Sequence, residues 1–227
     1  IDAGRVEAFC RRTNLTPAVL YLAATGYATA RFCNARSAFI STISTGRSDN
    51  RFGDTFGMFV KTVPVAIEIA DSSALDFARR VAETLADVVA NEMYPYARIC
   101  ADYNYAPNIM YEYQRGVVED FIVNGRPLEY HTCDLDSLKF KIAVRVDDIE
   151  GVPSVVVHFD QALYSEAFMR SYCDAIAMVA EAIMDSPERR VRTISMVTDA
   201  ERERLNRFAT SDMADYSDLC LPNLMEE

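Results

Sequence analysis

The chain has 227 residues, half of them hydrophobic and 11% aromatic, which is enough for one substantial core or two modest ones and excludes a disordered chain. A formal net charge of -11 excludes the basic face that a nucleic-acid binder needs. Six cysteines without a CxxC pair, beside two histidines, exclude zinc-ligand spacing.

Residues 3–12 read as a short amphipathic helix. Thr16 is placed to cap the next helix, with Pro17 at its first position, where the missing N–H costs nothing. "AVLYLAATGYATARFC" is apolar nearly all round, so that helix should lie buried between layers. "SAFISTIS" is rich in β-branched residues and reads as a strand. A polar loop over residues 45–56 leads to a second strand over residues 60–69, where Pro64 implies an edge or a bulge. Gly53 and Gly57 would give that loop unusual backbone angles. Ser72 or Ser73 should cap a helix whose stripe is Leu75, Ala78, Val81, Ala82, Leu85, Val88 and Val89. Residues 91–102 read as irregular or helical, broken at Pro95. "NIMYEYQ" reads as a strand, residues 117–123 as another, and Asn124-Gly125 as a hairpin turn. "LKFKIAVRV" alternates, with Leu138, Phe140, Ile142 and Val144 on one face. An acidic turn over residues 147–151 should send the chain back through "PSVVVHF" as an antiparallel partner. Residues 165–184 make a long amphipathic helix, and residues 198–208 a last one with Thr198 and Glu201 as its capping box. The order predicts an α+β (mixed α/β) domain, a mixed β-sheet with helices packed on it.

Charge is uneven, with seven arginines against four acids in residues 1–60. Solvated surface explains that as well as a patch for a phosphate-bearing partner does. The cysteines (Cys10, Cys33, Cys100, Cys133, Cys173 and Cys220) read as reduced, mostly buried residues of a cytoplasmic protein. No apolar run reaches the ~20 residues of a membrane span. A start at Ile1 reads as a piece of something longer. No GxGxxG, GxxxxGK[ST] or GxSxG occurs. His131 lies in a loop and His158 opposite Val155, Val157 and Phe159; neither has a paired base, so both read as structural. Asp147-Asp148 read as solvated turn residues, and Tyr103, Tyr105, Tyr111 and Tyr113 as core or cleft wall. The residues taken one by one give a domain with no self-contained catalytic centre.

Three stretches go further when taken in order. Gly46-Arg47 is followed by Phe56-Gly57-Met58-Phe59-Val60-Lys61-Thr62-Val63-Pro64-Val65; then come Tyr94-Pro95-Tyr96 and Asp102 to Pro107. They resemble GR…GMFVNTLPLR, QDYPFE and RDxSRNPLF of the second half of condensation domains from nonribosomal peptide synthetases, a chloramphenicol-acetyltransferase-like superfamily. "LKFKIAVRV…VVVHFDQALYSE" is similar to the family's next strands, "SMVTDAERERL" to its terminal helix, and "YSDLCLPNLMEE" to the linker entering an adenylation domain. Lys61 stands for the family's Asn in the first motif, and Ala101 and Ala106 for Arg and Asn in the third, so that last Asn's role is not carried over. The family's HHxxxDG belongs to its first half, and no His-x-x-x-Asp occurs here.

The resemblance implies one chloramphenicol-acetyltransferase-like lobe of two, over residues 1–208, with residues 209–227 as the linker. It implies amide formation between carrier-bound thioesters, the histidines coming from the N-terminal lobe and no catalytic residue from this one. It implies no directly bound cofactor. Its partners would be that N-terminal lobe, upstream and downstream peptidyl carrier proteins bearing 4'-phosphopantetheine, and an adjacent adenylation domain, with no nucleic acid and no membrane. The tunnel or floor-loop positions are Gly46, Arg47, Arg51, Gly57, Met58, Phe59, Lys61 and Thr62; the other motif positions are Tyr94, Pro95, Tyr96, Asp102 and Pro107. Arg47, Arg51 and Lys61 could attract a phosphate or an acidic carrier surface, or Arg47 could pair with a carboxylate to hold the loop. The alternatives are a degenerate, non-catalytic carrier-docking module, or an epimerisation or cyclisation variant. Alone, the fragment should form no amide bond.

Overall fold

The computed structural model describes residues 2–47, 50–105, 108–115, 122–124, 126–127, 139–149 and 152–210. Helix α1 (Ala3–Thr13) begins where Asp2 accepts the Arg5 amide and ends at Asn14, which takes the left-handed conformation with φ 58°. In α2 (Pro17–Phe32), Thr16 Oγ1 accepts the Val19 amide at 3.2 Å and Pro17 is in the first turn, as the sequence predicts. Every residue of α2 from Val19 to Ala30 is buried, because helices and sheet enclose it on all sides.

Strands β1 (Ser37–Ser44) and β2 (Lys61–Glu68) pair antiparallel, in register through Ser41 and Pro64. β3 (Ile109–Arg115) lies parallel to β1, β6 (Ile142–Ile149) parallel to β3, and β7 (Val152–Phe159) antiparallel to β6. The sheet order is β2-β1-β3-β6-β7. Pro64 is thus tolerated because β2 is an edge strand, with no bulge needed. A small antiparallel pair, β4 (Ile122–Val123) and β5 (Arg126–Pro127), surrounds the expected turn, with Asn124 at φ 52°.

Helices α3 (Ala74–Ala90) and α5 (Glu166–Asp185) flank α2 on one face of the sheet. Ser73 caps α3, as read, and Ser165, read as the first residue of its helix, is the N-cap of α5. The stripe of α3 is centred on Ala74, Phe77, Ala78 and Val81, whereas Val88 and Val89 are only half-buried because the helix runs past the sheet edge. Phe77 meets Tyr27 edge-on with ring centroids 6.2 Å apart, and Tyr27 donates to the Ile194 carbonyl at 2.9 Å. A Cβ on Gly26 would stand 2.8 Å from Ile67 Cγ2, so α2 approaches β2 closely here and a larger residue would force the Ile67 side chain to shift. The short α4 (Tyr96–Asp102) lies on the opposite face. Ile40 points into the core, its neighbour Ser41 points away, and Tyr96 Oη meets Ser41 Oγ at 2.6 Å.

The expected acidic turn over residues 147–151 is corrected: Asp147 and Asp148 lie within β6. Arg145 Nε reaches Asp147 at 2.9 Å, and Tyr113 donates to Asp148 at 2.9 Å, partners that no local pattern reveals. β6 also starts at Ile142; Leu138 lies outside the described residues. Cys33 is exposed rather than buried, since it sits just past the end of α2; Cys10 is buried, and Cys133 and Cys220 lie outside the described residues. Tyr103 is 78% exposed and lines a surface cavity, a cleft-wall residue rather than a core one.

The chain divides into two units, residues 1–196 and 197–227. In the second, α6 (Asp199–Ala209) has the capping box: Thr198 Oγ1 accepts the Glu201 amide at 3.2 Å and Glu201 accepts the Thr198 amide at 3.0 Å. Those bonds hold the Glu201 carboxyl below its usual range. Most of the linker reading, residues 211–227, lies outside the described residues. Among the described residues no helix is long and apolar enough to cross a membrane.

Candidate functional site

The loop between β1 and β2 is built around one guanidinium. Arg47 Nη1 donates to the carbonyl oxygens of Phe52, Gly53 (3.4 Å) and Thr55 (2.9 Å), and Nη2 to that of Gly57 (3.2 Å). Its carbon stands 4.4 Å from the centroid of the Phe59 ring, which packs against Phe52 at 5.4 Å. Among the described residues the partners of Arg47 are therefore loop carbonyls, not the carboxylate that the sequence suggested. Its fork of donors suits this task, because several carbonyls converge on one plane.

Gly46 and Gly57 take the positive φ values, 66° and 149°, and Gly53 does not. A Cβ on Gly46 would run into the Phe59 carbonyl, so the loop's first and last residues touch through a glycine. The outcome is a loop held from within by Arg47, Phe52 and Phe59 that turns Phe56 and Met58 outward. Phe56 and Met58 are 104% and 90% exposed. Arg51 stands 5.9 Å from the centroid of the Phe52 ring. Lys61 Nζ donates to Met93 Sδ at 2.8 Å, linking the start of β2 to the segment after α3.

A cavity of about 440 Å³ lies at the β2 edge, where the chain passes from α3 round to α4. It brings together Thr62 of the first motif, Tyr94 of the second and Asp102 of the third, far apart in sequence. Tyr94 donates to Asp102 Oδ2 at 2.7 Å, which raises the phenol's pKa, and Arg98 pairs with Asp102 at 3.3 Å. Pro95 is the N-cap residue of α4 and makes no side-chain capping bond. Tyr96 is not on the cavity wall: it faces Ser41, and burial pushes its pKa up to about 12. Pro107 lies outside the described residues.

The sequence reading missed Glu92, which lines the cavity, is buried and accepts from Ser44 Oγ. Its position two residues past α3, beside the second motif, was the available signal. Glu92 and Asp102 both line the cavity, Asp102 paired with Arg98 and with the Tyr94 hydroxyl. His158 is exposed on β7, as expected, and His131 lies outside the described residues. Among the described residues no cluster of His, Cys, Asp and Glu is set to hold a metal. The assembly offers walls, fixed hydroxyls and an apolar loop tip.

The family model described as the condensation domain matches residues 2–206. Surfactin synthase subunit 1 of Bacillus subtilis (strain 168) is 22% identical over 225 residues, covering 90% of this chain and 6% of that protein. The chain thus spans a small part of the curated relative it matches. A four-domain nonribosomal peptide synthetase bound to AMP and glycine superposes with a TM-score of 0.76 at 14% identity, covering 88% of this chain and 17% of that one. The X-domain from teicoplanin biosynthesis, solved in complex with OxyB, gives a TM-score of 0.70 at 15% identity, covering 88% of this chain and 47% of that one. The mixed sheet under its helices is the chloramphenicol-acetyltransferase-like fold of such domains. With the match over residues 2–206, the chain belongs to the condensation domain family.

Proposed function

We propose that the chain is the C-terminal lobe of a condensation domain that joins carrier-bound aminoacyl or peptidyl thioesters in nonribosomal peptide synthesis. The observation that carries this is convergence: residues of all three motif stretches, Thr62, Tyr94 and Asp102, meet at one cavity beside the loop that Arg47 shapes. The chain also covers only 46% of the first condensation domain of the CDA synthetase, the size expected of one lobe. In the reaction, the amine nitrogen of the downstream aminoacyl group attacks the upstream thioester carbonyl. The C–N bond forms, the C–S bond breaks, the carrier thiol leaves and the amine loses a proton. HHxxxDG in the other lobe supplies the histidine that handles that proton. This lobe supplies tunnel wall, and the loop of residues 46–58 closes the tunnel floor with Phe56 and Met58 at its tip.

In this reading Arg51, in the loop, and Lys61, at the start of β2, attract the phosphopantetheine phosphate or an acidic carrier surface. Arg47 has its donors turned inward and shapes the loop. Reversing Arg51 and Lys61 to Glu in the full domain should weaken carrier binding. Unchanged binding in a titration would sink that role. A second reading, a non-catalytic docking module, draws on the X-domain solved in complex with OxyB. An intact HHxxxDG in the companion lobe favours the enzyme, and a broken one the docking module.

A further inference from the structure

Three buried polar atoms have no hydrogen-bond partner among the described residues, the Tyr21 hydroxyl, the Tyr105 hydroxyl and Asp148 Oδ1, and two of them belong to deeply buried residues, Tyr21 and Asp148. Tyr21, on α2, is 0% exposed, and Asp148, near the end of β6, 6%. The other Asp148 oxygen is occupied: Tyr113 Oη donates to it at 2.9 Å and Arg115 Nε forms an ion pair with it at 3.6 Å. Arg115 Nη2 turns to Glu7 on α1 at 2.7 Å. One guanidinium thus serves two carboxylates, and the free oxygen of Asp148 is the least satisfied acceptor of the group.

The two orphans are neighbours. The Tyr113 and Tyr21 rings lie nearly parallel, planes 23° and centroids 6.5 Å apart, and the Tyr113 hydroxyl is already on Asp148. Burial, then the charge of Asp148, push the Tyr21 phenol up to about 12, which keeps it a donor. A buried donor and a buried acceptor both lie beside Tyr113 and do not bond each other. Buried polar groups are rarely left so.

We propose that the Tyr21 hydroxyl and Asp148 Oδ1 form a built site for one buried water, which accepts from the phenol and donates to the carboxylate. Water fits both demands at once. A monovalent cation would satisfy the carboxylate and leave the phenolic O–H without an acceptor. The water completes a polar chain, Glu7–Arg115–Asp148–water–Tyr21, that ties α1, β3, β6 and α2 together at one end of the sheet.

A crystal structure of this chain fine enough to show ordered water tests the site. The expected result is one spherical peak within hydrogen-bond distance of both atoms. A direct Tyr21–Asp148 bond, an interval without density, or an anomalous signal there from rubidium-grown crystals would each overturn it. In solution, Tyr21→Phe, Asp148→Asn and the double variant should be coupled. The double variant's unfolding constant should fall about tenfold short of the product of the single effects. Additive effects would also overturn the site. If Asp148→Asn does not fold, the isosteric Tyr21→Phe crystal decides: the peak should vanish or move, and a peak left in place counts against the proposal.

Discussion

Gly46 is the residue at which the loop has least latitude. It combines φ 66° with contact against the Phe59 carbonyl, so Gly46→Ala must strain the backbone and push two strand ends apart. It should lower stability by about 2 kcal/mol in urea unfolding, while Gly53→Ala should stay within about 0.5 kcal/mol. Arg47→Lys keeps the charge and loses the fork. Chymotrypsin should then cut after Phe52 or Phe56 several-fold faster, while the global transition moves by less than ~1 kcal/mol, because the loop opens locally. Alkaline pH separates another group. The Tyr21 phenol is raised from 10.0 to about 12, so its contribution is fully present below pH 10 and is lost as pH rises through 12. Tyr96 is raised to about 12 as well, so Tyr21→Phe should lower the amplitude of the phenolate absorbance step near pH 12 by one tyrosine, and an unchanged amplitude would contradict the assignment. At this scale the motif letters were legible, but the partners of Arg47 were not, because backbone carbonyls leave no mark in a sequence.

Among elements, what was local was legible. Thr16 with Pro17, Ser73, and Thr198 with Glu201 all act as the caps their spacing implies, since a cap involves residues three apart. Thr16→Ala should therefore cost about 1 kcal/mol in thermal or urea unfolding. β6 shows the limit. Asp is depleted in strands, so Asp147-Asp148 looked like a turn, yet Arg145, Tyr113 and Arg115 hold both carboxylates inside the sheet. Along α3 the spacing found the right face, with Ala78 and Val81 buried and Leu75, Ala82 and Leu85 packed on the core, but it left out Ala74 and Phe77. Phe77, wholly buried against Tyr27, is the residue on that face with most to lose. Phe77→Ala should cost about 3–5 kcal/mol, enough to unfold a marginal domain at 37 °C.

Across unit 1 the helices α2, α3 and α5 gather on one face of the sheet, and α4 on the other. Phe39, on the second face, and the loop's Phe56 and Met58 stay exposed, the kind of surface that a companion lobe would cover. The family was legible because its motifs occur in order, although each had drifted. The cavity was not, since Thr62, Tyr94 and Asp102 meet only when the chain wraps the β2 edge. The division of labour between two lobes is the central claim, and one assay reaches it directly: amide formation between two carrier-bound aminoacyl thioesters, followed by mass spectrometry. The 227-residue chain alone should give no product above carriers without enzyme, while the parent domain with both lobes should give the amide. Amide formed by the chain alone would contradict it.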